Sequence, residues 1–201
     1  MPAVLIVRHA LSAWNMDGRW QGQADPPLAA EGEEQARAAA RRVGAVDLVV
    51  TSDLERARRT GELLAPGAPL VTEPGLREFD VGDWSGRTRA EIERLWPGEL
   101  AQFDAGRLDA PPGSEGRRQF EERVAEAAAR LATRADGRTL VVTHGGVVRA
   151  LARRQDRRNG LYRHLCGFEA EVKGGTLSLL HPVDLLSDFE REAGSAEPVA
   201  L

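Results

Sequence analysis

Three short apolar segments of this chain end in side chains that could bind phosphate. The residues at these ends, or within about a helical turn of them, are Arg8, His9, Ser52, Arg56 and His144. Arginine matches phosphate oxygens in bidentate geometry. Two guanidinium groups and two imidazoles gathered at one place would repel one another while the site is empty. A phosphate would supply the missing negative charge, so this set of residues predicts a phosphate pocket.

The segments that carry these residues have the pattern of buried parallel strands. They are rich in Val, Leu and Ile without alternation, which is typical of strands covered on both faces. They span residues 4–9, 47–56 and 139–146. In open α/β sheets, ligands bind beyond the carboxyl ends of the strands. The third segment also leads into a predicted helix, whose first amide groups would be free to bind an anion.

Helical patterns separate the strands along the chain. The predicted helices span residues 31–43, 53–65, 117–135 and 146–154. Thr88 and Glu91 have the spacing of a capping box on a further short helix. Residues 174–183 predict one more strand, near an edge of the sheet. Alternation of strands and helices indicates an α/β fold, a three-layer α/β/α sandwich with a mostly parallel central sheet.

Length and composition set the class of protein. The chain has 201 residues, and we expect one domain over 1–201 with an irregular flap at about 96–116 and a partly disordered tail from about 187. The net charge of −4 gives no reason to expect nucleic acid. Cys166 is the single cysteine, which excludes a disulfide framework. No apolar run approaches the roughly 20 residues that span a bilayer, and Arg8 interrupts any signal-peptide core. We therefore expect a cytoplasmic protein without a membrane or nucleic-acid partner.

Metal binding is a rival use of the histidines, and we expect no metal. The four histidines stand at positions 9, 144, 164 and 181, without HxxxH or HxH spacing, and the lone cysteine adds no ligand set. The basic run after the third strand leaves two interpretations open. It could be a solvated helix end or a basic wall for an anionic substrate. Its members are Arg149, Arg153, Arg154, Arg157 and Arg158.

Four blocks of the sequence resemble, in order, those of the histidine phosphatase superfamily, the phosphoglycerate-mutase-like proteins. The blocks read RHALSAWN, SDLERARRT, LREFDVGDWSG and VVTHGG. The resemblance covers about residues 4–150, roughly three-quarters of the chain. It implies a single histidine phosphatase domain that takes a small phosphorylated substrate and needs no cofactor; a homodimer stays open.

The resemblance also implies a role for each matching residue. His9 would be the nucleophile, Glu78 the proton donor to the leaving oxygen, and the phosphate contacts would be Arg8, Asn15, Arg56, His144 and the Gly145 amide. A neutral imidazole can attack phosphorus and form a phosphohistidine, which divides one difficult step into two. Without the motif, Glu78 would be interpreted as a surface carboxylate paired with Arg77. A general acid at this place predicts better activity at mildly acidic to neutral pH.

The chain departs from the family pattern in two blocks. Ala10 and Leu11 replace the usual Gly and Glu or Gln after the histidine, and Leu11 removes a polar side chain. The family's Gly-Gly-Glu-Ser before the long helix reads Gly-Ser-Glu-Gly over residues 113–116. Neither change affects the predicted nucleophile, the two arginines or the second histidine.

Three functions are compatible with the resemblance. The mutase branch resembles this chain in its core but carries longer insertions that enclose a bisphosphate, whereas only FDVGDWSGR separates Glu78 from the next predicted helix. We therefore favour a metal-independent phosphomonoesterase that acts through a phosphohistidine on a small phosphorylated metabolite. The alternatives are a phosphoglycerate mutase and a non-catalytic module that binds a phosphorylated ligand.

Overall fold

Six strands form one central sheet in the computed structural model, which describes residues 3–135, 137–157 and 162–187. The strands are β1 (Ala3–Arg8), β2 (Leu48–Thr51), β3 (Leu70–Thr72), β4 (Arg138–Thr143), β5 (Cys166–Lys173) and β6 (Thr176–Asp184). Their order across the sheet is β3-β2-β4-β1-β5-β6. The pairs β1–β4, β2–β4 and β2–β3 are parallel, and β5 and β6 pair antiparallel at one side. The three predicted apolar strands are therefore confirmed as adjacent parallel strands at the centre.

Seven helices are present in the described part of the chain, with two short 3₁₀ turns at Pro74–Leu76 and Gly82–Trp84. The helices are α1 (Ala13–Met16), α2 (Ala30–Val43), α3 (Glu55–Leu64), α4 (Arg89–Leu95), α5 (Glu99–Asp104), α6 (Arg117–Arg134) and α7 (Gly145–Arg154). Among the described residues no helix is long and apolar enough to cross a membrane.

Apolar side chains on both faces of the sheet explain the three layers. In β1, Val4 and Ile6 pack with residues of α6 and α7, whereas Leu5 and Val7 pack with residues of α2 and α3. Successive side chains of a strand point to opposite faces, so a strand that is apolar throughout requires helices on both. The predicted three-layer α/β/α sandwich with a mostly parallel sheet is confirmed.

The boundaries predicted from sequence agree with the structure to within a few residues, but some elements were missed. The four predicted helices correspond to α2, α3, α6 and α7, Thr88 caps α4 with Glu91, and the predicted edge strand is β6. The prediction of an irregular flap was wrong in part, because the segment contains α5. The short β3 and the whole of β5 were not predicted. The predicted tail beyond Ser187 lies outside the described residues.

Candidate active site

The carboxyl ends of β1, β2 and β4 meet at one edge of the sheet, as parallel pairing requires. Arg8 is the last residue of β1, and the amide of His9 donates to the Thr143 carbonyl at the end of β4, at 2.8 Å. His144 follows β4 directly and is the N-cap of α7. The ring centroids of His9 and His144 are 5.2 Å apart. The structure thus brings together three side chains that the sequence singled out; with Arg56, which lines the same cavity, we call them the catalytic floor (Arg8, His9, Arg56 and His144).

His9 is buried and held in a single orientation. Its Nδ1 lies 2.7 Å from the Ala10 carbonyl oxygen, which can only accept, so Nδ1 carries the proton. Burial lowers the pKa of His9 well below its usual value, and the positive charges of Arg56 and Arg8 lower it further. The imidazole is therefore neutral at pH 7, and Nε2 keeps a free lone pair.

Arg8 and Arg56 are buried cations oriented by backbone carbonyls. Arg8 donates to the Tyr162 carbonyl at 3.0 Å, and Arg56 donates to the Ala24 and Gly22 carbonyls at 2.7 and 2.8 Å. Burial lowers the pKa of each to about 10, although the negative charge of Glu78 opposes this. Both stay charged at neutral pH. The Nε atom of each is buried without a partner among the described residues, which leaves a donor for a ligand.

His144 is buried with neither ring nitrogen hydrogen-bonded within the described structure. Burial lowers the pKa of His144 well below its usual value, and the charges of Arg56, Arg8 and Arg123 add to the effect. An unpartnered buried polar group costs about 1–3 kcal/mol. A ligand oxygen could accept a hydrogen bond from the protonated ring nitrogen of His144.

Glu78 lies against the N-terminus of α7. Its Oε2 accepts from the Gly146 amide at 3.0 Å and its Oε1 accepts from the Phe79 amide at 2.8 Å. The expectation that the first amides of α7 are free was therefore wrong for Gly146, because a carboxylate of the chain itself takes the place of an anion there. Arg77 pairs with Asp53 at 2.5 Å and not with Glu78, which removes the alternative of a simple surface ion pair.

Glu115, from the block that departs from the family pattern, supports the loop that carries Glu78. It pairs with Arg123 at 2.5 Å and accepts from the Asp80 amide at 2.8 Å. Arg123 in turn donates to the carbonyls of Arg77 and Glu78 at 2.9 and 3.2 Å. Sequence reasoning did not assign this role, because the contacts join residues 35 positions apart for Glu115 and Asp80 and 45 for Arg123 and Glu78.

Asn15 lies beside the floor rather than in the wall of the cavity. Its Oδ1 accepts from Ser12, whose Oγ is 2.9 Å away, and lies 3.0 Å from Nε2 of His164. Ser12 Oγ also lies 2.9 Å from Oε1 of Gln21, which does line the cavity. The His164 ring is 6.0 Å from that of His9. Sequence reasoning considered His164 only as a metal ligand, and no motif surrounds it that could have revealed this placement.

A cavity of about 360 Å³ opens above the floor. Its lining includes Arg8, His9, Arg56, Glu78 and the predicted Gly145. Five apolar side chains also line it: Trp20, Phe79, Val81, Phe103 and Phe120. The charged residues that also line it are Asp104, Arg117, Glu121, Arg149 and Arg153.

The arginines that follow β4 were open to two interpretations, a solvated helix end or a basic wall for an anionic substrate, and they divide between the two. Arg149 and Arg153 line the cavity, where Arg149 stacks over the Tyr162 ring at 5.1 Å and Arg153 pairs with Glu121 at 3.3 Å. Arg154 and Arg157 are exposed. Arg158 lies outside the described residues.

Neither of the two substituted residues after His9 lines the cavity. Ala10 is fully buried, donates its amide to Thr60 Oγ1 at 3.1 Å, and does not adopt a positive φ. Leu11 is not a lining residue; its carbonyl accepts from Ala29 at 3.0 Å and packs on Gly32, where a Cβ would lie 2.0 Å from that oxygen. Within the described ranges, no group of three or more His, Cys, Asp or Glu side chains could hold a metal ion.

Comparisons with known proteins agree with this geometry. The chain is 32% identical to phosphoglycerate mutase-like protein 4 of Arabidopsis thaliana over 160 residues, 75% of this chain and 70% of that protein. It is similar to the solved structure of YhfR from Bacillus stearothermophilus (TM-score 0.77, 30% identity, 88% of this chain and 94% of that one). It is also similar to a mycobacterial glucosyl-3-phosphoglycerate phosphatase in complex with VO₃ (TM-score 0.72, 30% identity, 85% and 93%).

The family model for the histidine phosphatase superfamily (branch 1) matches residues 4–162. These residues include the four side chains of the floor, Glu78 and four of the six strands of the sheet. The chain therefore belongs to branch 1 of the histidine phosphatase superfamily.

Proposed function

We propose that this phosphoric monoester hydrolase acts on a small phosphorylated metabolite through a phosphohistidine on His9, without a metal ion. The state of His9 carries the proposal. Its Nδ1 proton is held by the Ala10 carbonyl, and its pKa is lowered by burial and by neighbouring cations. A neutral imidazole with a free Nε2, next to two buried arginines, is prepared to attack a phosphate.

In the first step, Nε2 of His9 attacks phosphorus as the bond to the leaving oxygen breaks. Arg8, Arg56 and His144 then stabilise the negative charge on the equatorial phosphoryl oxygens. These groups lie in a buried region, where electrostatic stabilisation is stronger than in water. Backbone carbonyls already orient both arginines, so little reorganisation is needed during the reaction.

Glu78 enters the first step in its protonated form and supplies the proton that the leaving oxygen needs. A sugar or glycerate alkoxide is a poor leaving group, so a general acid beside it lowers the barrier. Once the proton has been donated, the Phe79 and Gly146 amides stabilise the resulting carboxylate. That carboxylate can accept a proton from water in the second step, in which water attacks phosphorus, the P–N bond breaks, and phosphate and neutral His9 are released.

The cavity supports a small substrate with an apolar face. Its volume of about 360 Å³ is at the lower end of the range of about 300–1,000 Å³ for ligand sites. Phe103 and Phe120 on the helical side provide an apolar surface for the leaving group, and Arg149 and Arg153 are positioned for an anionic substituent.

A mutase is the second candidate, because a curated relative is named phosphoglycerate mutase-like. The short connection between Glu78 and α4, which begins at Arg89, favours hydrolysis, since a long insertion would be needed to enclose the phosphoenzyme. Conversion of 3-phosphoglycerate that depends on a bisphosphoglycerate primer would identify a mutase. Release of inorganic phosphate without a primer would identify a phosphatase.

The experiment that tests the proposal is a rapid quench with a radiolabelled phosphate monoester. We expect acid-labile, base-stable phosphate on the wild-type protein and none on His9→Ala, with turnover abolished and the circular dichroism spectrum unchanged. His181→Ala, at an exposed position on β6, is the matched control and should behave as wild type. Undiminished turnover in His9→Ala would contradict the proposal.

A further inference from the structure

The turn over residues 162–165 contacts the site at three points, although the family model ends at residue 162. The Tyr162 carbonyl accepts from Arg8 Nη1 at 3.0 Å, and the Leu165 amide donates to the Arg8 carbonyl at 3.1 Å. Between them, His164 Nε2 lies 3.0 Å from Asn15 Oδ1. These contacts connect the turn to the end of β1 and to the loop after His9. Asn15 and His164 are 149 positions apart in the sequence.

The turn has an unusual backbone conformation next to His164, and contacts on both sides hold it in place. Leu165 has a φ of 56°, one of two positive values among the non-glycine residues of the described chain, and its side chain is fully buried. Non-glycine residues rarely adopt this conformation unless the surroundings require it. Here the Leu165 carbonyl accepts from the Leu185 amide at 3.2 Å, and Arg163 pairs with Asp184 at 3.0 Å, so both sides of the turn are anchored.

The hydrogen-bond partners of Asn15 determine which way its carboxamide faces. The Ser12 amide, which can only donate, lies 3.4 Å from Oδ1, so the oxygen of the carboxamide faces Ser12. His164 Nε2 faces the same oxygen and must therefore carry a proton and donate. Asn15 Oδ1 is then occupied by Ser12 and His164, whereas its Nδ2 makes no hydrogen bond to any described residue.

We propose that His164 is a positioning residue for the phosphoryl transfer reaction. By donating from Nε2 to Asn15 Oδ1, it fixes the carboxamide with both Nδ2 protons available to a phosphoryl oxygen. It also holds the turn after His9 in place, because Asn15 Oδ1 lies 2.9 Å from Ser12 Oγ, and Ser12 Oγ lies 2.9 Å from Oε1 of Gln21, which lines the cavity. The inference rests on the proposed function, since it needs a phosphoryl group bound at His9.

The test is a mutant cycle measured with two substrates and one inhibitor. His164→Ala should lower kcat by about tenfold or more, the loss that follows when one hydrogen bond to a charged group is misplaced. The loss should be equal for a sugar phosphate and for nitrophenyl phosphate, because the proposed contact of Asn15 is with the phosphoryl group and not with the leaving group. Affinity for vanadate should fall by a similar factor. His164→Gln, whose amide nitrogen can reach the position of Nε2, should recover most of both losses.

The Asn15→Ala background separates positioning from a general structural role. There, His164→Ala should cause little further loss of kcat, because the group it positions is gone. His181→Ala serves as the control for removal of a histidine elsewhere. If His164→Ala does not fold, His164→Gln is compared with His164→Asn, which is too short to reach Asn15 and should lose activity while Gln keeps it.

Three results would overturn the inference. They are an unchanged kcat and vanadate affinity in His164→Ala, equal losses of kcat in the wild-type and Asn15→Ala backgrounds, and no recovery with His164→Gln. Detection of phosphohistidine in the wild type keeps the two proposals apart. If it is present while the cycle fails, only the role of His164 is wrong; if it is absent, the proposed function fails first.

Discussion

The charged side chains of the floor and those of the outer part of the cavity are held in different ways. By the outer part we mean the charged lining residues Asp104, Arg117, Glu121, Arg149 and Arg153. On the floor, Arg56 is fully buried and is oriented by two backbone carbonyls. In the outer part, Arg153 and Glu121 form an ion pair in which both side chains are nearly half exposed. Arg117 has an intermediate position, since it stacks over Phe103 at 4.2 Å and donates to the Phe103 carbonyl at 2.7 Å.

This difference separates the general chemistry from the choice of substrate. A charge in a buried site acts strongly on a phosphoryl group, and backbone partners keep it in place whatever the surface side chains do. An exposed ion pair contributes about 0–1 kcal/mol and is screened by salt, so its members can turn towards a ligand at little cost. We therefore expect substitutions on the floor to affect all substrates, and substitutions in the outer part to affect only some.

Glu78→Gln should show the largest effect that depends on the substrate. General acid catalysis contributes about 10²–10⁴-fold, and glutamine keeps the size of Glu78 but cannot donate the proton. Nitrophenolate leaves readily without protonation, so phosphorylation of His9 should slow strongly with a sugar phosphate and only mildly with nitrophenyl phosphate. The first step should be measured alone, as a pre-steady-state burst, because the same carboxylate serves as base in the second. Equal losses for the two substrates would mean that Glu78 only positions groups.

Arg56→Gln and Arg117→Gln compare the two regions directly. Removal of one group that stabilises the transition state costs about 2.7–4 kcal/mol, or 10²–10³ in rate, and we expect this loss for Arg56 with every substrate. Arg117→Gln should change kcat/KM less than tenfold with nitrophenyl phosphate and leave vanadate affinity unchanged. Thermal unfolding shows whether each variant is folded. Similar losses in both variants would remove the distinction between the regions.

Gly146→Ala and Gly145→Ala form a matched pair at the start of α7. A Cβ on Gly146 would lie 2.1 Å from Glu78 Oε1, whereas one on Gly145 would make ordinary contacts of 3.5–3.6 Å with Arg8. Because Glu78 is a flexible side chain, Gly146→Ala should displace it without unfolding the protein. A displacement of about 1 Å can cost about 10² in rate, so kcat for a sugar phosphate should fall in Gly146→Ala and stay near wild type in Gly145→Ala. Equal rates in the two variants would contradict the assigned contact.

Three buried histidines in and beside the floor should also affect the stability of the protein in acid. The pKa values of His9, His144 and His164 are all lowered by burial, with neighbouring positive charges as the second cause. Below the usual histidine pKa of about 6.5 the unfolded chain binds protons that the native state does not, so the free energy of unfolding falls as pH falls. Each histidine contributes a slope of at most about 1.4 kcal/mol per pH unit in this window.

Urea unfolding between pH 7.5 and 5.5 measures how steeply the free energy of unfolding changes with pH. His164→Gln should reduce this slope by the contribution of one histidine. His181→Gln, at an exposed position, is the control for the substitution itself. A wild-type slope that His164→Gln does not reduce would show that His164 is not buried as a neutral imidazole. The expected preference for mildly acidic to neutral pH therefore has a lower limit set by folding as well as by chemistry.

Local pattern explains why some elements were predicted and others missed. β1, β2 and β4 are continuous apolar runs, which is the pattern of strands covered on both faces, so they could be predicted from the sequence. In β5, Phe168, Ala170 and Val172 alternate with two glutamates, a pattern typical of a half-buried strand that sequence reasoning did not use. Missing β5 also concealed His164: an antiparallel neighbour of β1 begins where β1 ends, with Val7 paired to Gly167.

The sequence by itself determined four of the six strands, most of the helices and the residues of the floor, because Arg8, His9 and His144 stand at the ends of apolar strands, and parallel strands bring their carboxyl ends to the same edge of a sheet. Only the tertiary structure decided what surrounds them. The contacts of Glu78 with Gly146, Glu115 with Asp80 and His164 with Asn15 join residues 68, 35 and 149 positions apart. Such contacts leave no period in the sequence, since they depend on which loops the packed sheet and helices bring to the same edge.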